Sequence, residues 1–168
     1  MINLYIDFDG VIVDTIDTSY KMIKELGIDT KDYDKVGKFY SELNWKEFLN
    51  CAKEINNSFE NIKKLVDSNL FYVNILTHVT TLHEAEEKIK FLRKHLDDIT
   101  IITVPKKISK TKMVSARDAI LVDDYSKNLV EWEKEGGIGI RFNLDLEGKG
   151  FYAIDRLDKV IEFAQNKI

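Results

Sequence analysis

One proline in 168 residues leaves no room for a proline-rich linker or recognition segment. Cysteine is equally scarce. Cys51 alone cannot form an intramolecular disulfide and has no companion for a thiolate zinc cluster, so it is expected to be a half-buried helix residue. No apolar run approaches the roughly 20 residues that a bilayer-crossing helix requires, so no membrane association is expected. The amino-terminal stretch lacks a basic region followed by an apolar segment and a small-residue cleavage site, which makes a cytoplasmic setting the expectation. Neither sign of charge dominates. The 25 basic and 29 acidic residues sum to −4, without the basic face that a duplex nucleic-acid binder carries. The length, with 44% hydrophobic residues, suits one compact domain with room for a small insert.

What the chain does have is concentrated in INLYIDFDGVIV, residues 2–13. Ile2, Leu4, Tyr5 and Ile6 read as a short buried strand that delivers Asp7 and Asp9 to Gly10. Two carboxylates at the end of a buried strand lose solvation unless a cation, hydrogen-bond donors or water compensates them.

Helical spacing of Ile16, Tyr20, Ile23 and Leu26 predicts a helix over 14–26, stopped by Gly27. Residues 28–37 read as polar and turn-like. Phe39, Leu43, Phe48, Leu49, Ala52 and Ile55 then support one helix, and Phe59, Ile62, Leu65 and Val66 another. A strand is expected over 70–76, ending at Thr77 and His78, then a helix over 82–96 and a strand over 99–104 closed by Pro105. Ser109 can cap a short helix reaching Ser115. A strand over 119–122 runs into Asp123 and Asp124, followed by a helix to Glu135, the pair Gly136 and Gly137, a strand over 138–142 and a closing helix. Strands alternating with helices predict an α/β fold, a Rossmann-like parallel sheet with helices on both faces. Ligands of such sheets bind beyond the carboxyl ends of the strands, where Asp7, Asp9, Thr77, Asp123 and Asp124 are expected to gather. Residues 14–69 emerge at the same edge and read as a small helical cap, with 1–13 and 70–168 forming the core.

Paired acids at two strand ends suit a hard divalent cation, magnesium above all where phosphate and water complete the octahedron. Asp7 can attack phosphorus, and Asp9 can protonate the leaving oxygen and later activate water. Thr77 can donate a hydrogen bond to the phosphoryl group, and a lysine can neutralise its developing charge. Lys106, Lys107, Lys110 and Lys112 all lie in the right interval. Lys110 is preferred because it follows the Ser109 cap, with Lys112 about 200° around the helix. Spacing back from Asp123 favours Lys112 instead. Phe39, Tyr40, Trp45 and Phe48 offer planar surfaces for a base, although aromatics at helical spacing commonly pack, and His78 lies close enough to Thr77 to touch substrate. Asn128 is placed to brace the acidic loop.

Asp7-Phe8-Asp9-Gly10-Val11, Thr77 at a strand end, a lysine beside Ser109, and Leu121-Val122-Asp123-Asp124 together resemble the four ordered motifs of the haloacid dehalogenase (HAD) superfamily. The resemblance implies an HAD-like fold with Asp7 as nucleophile and Asp9 as acid/base. It further implies magnesium held by Asp7, Asp9 through its main-chain carbonyl, Asp123 and Asp124, with Asp124 the direct ligand of the last pair. An acid at Asp9, two residues after the nucleophile, resembles the phosphatase branch. The segment from Ile120 to Tyr125 with Asn128, Trp132 and the double glycine looks most like the small 5'-nucleotidases of the deoxyribonucleotidase type. The implied substrate is a small-molecule phosphate ester, a nucleoside or deoxynucleoside monophosphate. The rival substrates are a sugar phosphate and a nucleic-acid 3'-phosphate. Rivals of another class are a non-catalytic binding domain and a phospho-accepting receiver. In receivers the adjacent acidic pair comes first, whereas here it comes last.

Overall fold

The computed structural model describes residues 1–167. Its elements run β1 (Ile2–Ile6), α1 (Thr15–Glu25), α2 (Tyr33–Glu42), α3 (Trp45–Cys51), α4 (Ser58–Asp67), β2 (Phe71–Val79), α5 (Leu82–Arg93) and β3 (Thr100–Pro105). A 3-10 turn (Lys110–Lys112) leads to β4 (Ile120–Asp123), α6 (Ser126–Lys134), β5 (Ile138–Phe142), β6 (Tyr152–Ile154) and α7 (Lys159–Lys167).

The six strands form one sheet in the order β3-β2-β1-β4-β5-β6, and every neighbouring pair is parallel. β1 lies between β2 and β4, with Ile6 opposite Ile75 on one side and Val122 on the other. Leu4 and Ile6 are consequently inaccessible, as a nearly continuous apolar strand predicts. Alternating side chains feed two layers. Leu4, Ile6, Ile75, Ile120 and Val122 pack with α3, α4, α5 and α7, while Tyr5, Leu76, Leu121 and Val104 pack with α6 through Leu129 and Trp132. Strand order reverses at β1, since β2 and β3 build one wing and β4, β5 and β6 the other. That reversal opens a crevice at the carboxyl ends of β1 and β4.

Several boundaries differ from the sequence reading. The segment read as a turn and then one helix, residues 28–55, instead holds α2 and α3. Asp32 accepts from the Lys35 N–H at 3.2 Å to start α2, and Asn44 accepts from the Glu47 N–H at 3.3 Å to start α3 after Leu43 turns extended. These caps override the apolar spacing. β2 runs on through Thr77 and His78 to Val79 because β3 pairs with it that far. The helix after Ser109 is a single 3-10 turn, and β6 is a short edge strand between β5 and the closing helix for which the sequence predicts no element. Cys51, expected to be half-buried, is exposed at the end of α3. Among the described residues no helix is long and apolar enough to cross a membrane.

Candidate active site

The Asp7 N–H donates to the Val122 carbonyl at 2.9 Å, so the β1–β4 pairing carries one residue past the strand and fixes Asp7 at the crevice. The chain then wraps around the Phe8 carbonyl, which accepts from Val11, Ile12 and Val13 at 3.3, 3.0 and 3.2 Å. Phe8 anchors this loop with no exposed surface. Gly10 closes it at φ +73°, and a Cβ there would overlap the Asp124 carboxylate. The turn separates the two acids: Asp7 faces β4, whereas Asp9 is swung toward α1 and α5.

Lys110 is buried, and its Nζ lies 2.8 Å from Asp7 Oδ1 and 2.7 Å from Asp123 Oδ2. The Ser109 cap orients it, with Oγ accepting from the Thr111 N–H at 3.4 Å and donating to Glu131 at 2.7 Å. Lys112, the other choice from spacing, is exposed. Asp123 is held further by the Tyr125 N–H and the Asn128 amide, both at 2.9 Å.

Oxygens of Asp7, Asp123 and Asp124 lie within 4.8 Å of one another. Three carboxylates therefore face one ammonium. Burial, with Asp123 and Asp9 nearby, pushes Asp7 up to about 7 against the pull of Lys110. Burial, then the charges of Asp7, Asp123 and Asp9, push Asp124 up to about 8. For Lys110 burial acts downward, yet Asp123 and Asp7 outweigh it and hold the ammonium above its ordinary range. This excess of negative charge is what a hard divalent cation would neutralise, so the donor set fits magnesium. Asp123 already accepts from Lys110, Asn128 and Tyr125, which leaves Asp7 Oδ2 and the Asp124 carboxylate outside any ion pair among the described residues.

The Asp9 side chain is not part of that cluster. Its Oδ2 lies 2.6 Å from Lys88 Nζ, and its Oδ1 accepts from the Thr15 hydroxyl at 2.7 Å. Any metal contact by Asp9 must therefore use its main chain. Thr77 is fully buried beneath it, with Oγ1 3.5 Å from Asp9 Oδ2. His78 Nε2 donates to the Ile108 carbonyl at 2.9 Å, a carbonyl being an acceptor only, and burial lowers the ring's pKa.

Above Asp9 is a cavity of about 80 Å³ walled by Thr15, Ser19, Tyr40, Trp45, His78 and Lys106. The Tyr40 hydroxyl is 2.8 Å from Ser19 Oγ, and Lys106 Nζ sits 5.8 Å from the Tyr40 ring centre. Phe39 and Phe48, expected to offer base-stacking surfaces, line a different groove with Met22 and Leu43. Trp45 is nearly buried, its ring covered by Lys88 at 4.9 Å and edged by Phe48 at 5.3 Å. Of the four aromatics, Tyr40 and Trp45 reach the cavity, and Trp45 does so mainly as packing.

Lys88 and Glu84 were missed from sequence, although a signal existed. Glu84, Lys88 and Leu92 recur every four residues and are the buried positions of α5. The eye follows Ala85, Ile89, Leu92 and Leu96 instead.

No protein-family profile matches the chain, and no curated protein does. Solved structures do. A haloacid dehalogenase-like family hydrolase from Streptococcus pneumoniae superposes with TM-score 0.62 at 15% identity, over 98% of this chain and 99% of that one. An HAD-superfamily hydrolase of subfamily IA from Geobacter sulfurreducens gives 0.59 at 13% identity, over 96% of each chain. A D,D-heptose 1,7-bisphosphate phosphatase from Burkholderia Thailandensis gives 0.60 at 14% identity, over 99% of this chain and 100% of that one. The chain thus has the Rossmann-like α/β architecture of HAD-superfamily hydrolases. Identity this low establishes the fold and leaves the reaction to the site.

Proposed function

We propose that the protein is a magnesium-dependent phosphomonoester hydrolase working through an aspartyl phosphate on Asp7. The observation that carries this reading is Lys110 Nζ held between Asp7 and Asp123, with Asp124 beside them at the carboxyl edge of the sheet. Asp7 attacks phosphorus, forming the carboxyl–phosphoryl bond as the ester P–O bond breaks. Asp9, a carboxylate paired with Lys88 in the resting site, takes up a proton from solvent ahead of this step and gives it to the departing oxygen. Water then attacks the acyl phosphate, Asp9 takes a proton from it, and phosphate leaves with Asp7 restored. Lys110 neutralises charge on the phosphoryl oxygens, and Thr77 donates to one of them. Asp7, Asp124 and the Asp9 carbonyl would hold a magnesium ion, which would supply Lewis-acid neutralisation of the phosphoryl group when bound.

The substrate is a small-molecule phosphate ester. A nucleoside or deoxynucleoside monophosphate rests on the sequence resemblance and on Tyr40 as an aromatic wall. The 80 Å³ cavity favours a compact polar ester instead, because pockets that enclose drug-sized ligands run to about 300 Å³ and above.

Phosphate release from 5'-nucleotides, 3'-nucleotides and sugar phosphates, with magnesium and with chelator, tests both levels. Turnover that ignores chelation rejects the metal site, and nucleotide turnover exceeding that of compact esters rejects the compact substrate. Asp7→Asn is expected to abolish release while the fold persists; wild-type turnover in that variant rejects the nucleophile.

A further inference from the structure

Lys88 is a buried cation outside the four motifs. Its side chain has no exposure, and its Nζ meets Asp9 Oδ2 at 2.6 Å, Glu84 Oε1 at 2.7 Å, the His78 carbonyl at 3.1 Å and Thr77 Oγ1 at 3.4 Å. Phe8 and Trp45 flank the ammonium at 5.4 and 4.9 Å from their ring centres. Substrate cannot reach it. Apolar side chains of similar volume would fill this space without the desolvation penalty that a buried ion pair carries. Packing therefore gives no reason for a lysine here, and what it touches does.

We infer that Lys88, neutralised by Glu84, is a positioning residue that fixes the carboxylate of Asp9 and the hydroxyl of Thr77 for phosphoryl transfer. An ammonium only donates, so Thr77 Oγ1 accepts from Lys88, and the acceptors in reach of its own proton are the His78 carbonyl at 3.3 Å and Asp9 Oδ2 at 3.5 Å. Asp9 is clamped from two sides, by Lys88 at Oδ2 and by Thr15 at Oδ1. Without Lys88 the carboxylate keeps the Thr15 bond at Oδ1 and only the long Thr77 contact of 3.5 Å at Oδ2, and it can rotate about its side-chain bonds. Glu84 serves two ends: Oε1 pairs Lys88, and Oε2 accepts from the Thr80 N–H at 2.7 Å, which ties α5 to the chain leaving β2. This inference rests on the phosphatase reading, in which Asp9 moves the proton.

Lys88→Met, Asp9→Asn and the double variant separate positioning from mere stability. Kinetics are read on an alkyl phosphate, whose leaving oxygen needs a proton, and on p-nitrophenyl phosphate, whose leaving group does not. Lys88→Met should lower kcat on the alkyl ester by about 100-fold, the scale of general acid catalysis, with a much smaller loss on the aryl ester. In the Asp9→Asn background it should add almost nothing on the alkyl ester. Equal losses on both esters, or losses that multiply in the double variant, overturn the positioning role. Should Lys88→Met fail to fold, Lys88→Met with Glu84→Gln removes both charges together and faces the same criteria. A wild-type enzyme that releases phosphate from no ester overturns the phosphatase reading and this inference with it; an active wild type unaffected by Lys88→Met overturns this inference alone.

Discussion

Lys110 Nζ and Asp7 Oδ1 stand 2.8 Å apart across 103 residues of chain, joining the first strand to the turn before β4. Lys110→Met keeps the length of the side chain and removes its charge. Asp7 and Asp123 then lose their common partner, so kcat for phosphate release should drop about 100- to 1000-fold. The melting temperature should fall as well, since breaking a buried pair strands the remaining charge. Lys112→Met, at an exposed position two residues on, should match wild type in both measurements. Equal losses in the two variants would show that Lys110 is not the phosphoryl-facing lysine.

Gly10→Ala tests the turn between the two acids. The position has φ +73°, which a side chain adopts only with strain, and the added methyl would collide with Asp124. The expected result is a protein that folds with a lowered melting temperature and a magnesium affinity weakened at least about tenfold, because Asp124 is the group displaced. Calorimetric titration with magnesium reads it; unchanged affinity would place the cation away from Asp124.

The parts of this fold that followed a single periodicity were readable in the residues. β1, β4 and β5 are short, largely apolar runs with buried side chains, so the acids at the strand ends could be brought to one edge from the residues alone, whereas α1 forms where its periodicity predicts but buries Thr15, Ser19 and Ile23 and leaves Ile16, Tyr20 and Leu26 exposed. Where two signals competed, the residues misled. Phe39, Leu43, Phe48 and Ala52 suit one long helix, but Asp32 and Asn44 capture backbone N–H groups and cut it in two, turning Phe39 and Phe48 from the cavity. The Asp9 environment was hidden for another reason: Lys88 approaches from 79 residues away, and the recurrence of Glu84, Lys88 and Leu92 on α5 competes with the apolar spacing of Ala85, Ile89 and Leu92.

Tyr40 provides a test of substrate size. It forms one wall of the cavity over Asp9, so Tyr40→Ala should enlarge the space and raise the kcat/KM ratio of bulky to compact phosphate esters by about tenfold, the scale of a small change in apolar pocket contacts. Phe39→Ala, in the neighbouring groove, should leave that ratio unchanged. If only Phe39→Ala shifts the ratio, the leaving group occupies the other groove.

The metal-free protein should lose stability as pH rises. Asp7 and Asp124 move from 3.8 to about 7 and about 8 on folding, so between roughly pH 4 and pH 8 the native state holds protons that the unfolded chain has released. With more protons bound in the native state, the slope of unfolding free energy against pH is negative across that window. Lys110 does not contribute there, because its raised value adds stability that is lost only on the alkaline side. His78, lowered by burial, acts in the opposite sense just below its ordinary value and is a single smaller contribution. In chelator, the melting temperature should therefore fall by several degrees between pH 5 and pH 8, given that about 1 kcal/mol moves the midpoint of a domain this size by roughly 2–4 °C. Magnesium replaces the protons, so the rise in melting temperature it produces should be small at pH 5 and grow toward pH 8. A chelated protein that grows more stable over this range, or a magnesium increment that shrinks with pH, would show that the acidic cluster is already neutralised from within the chain.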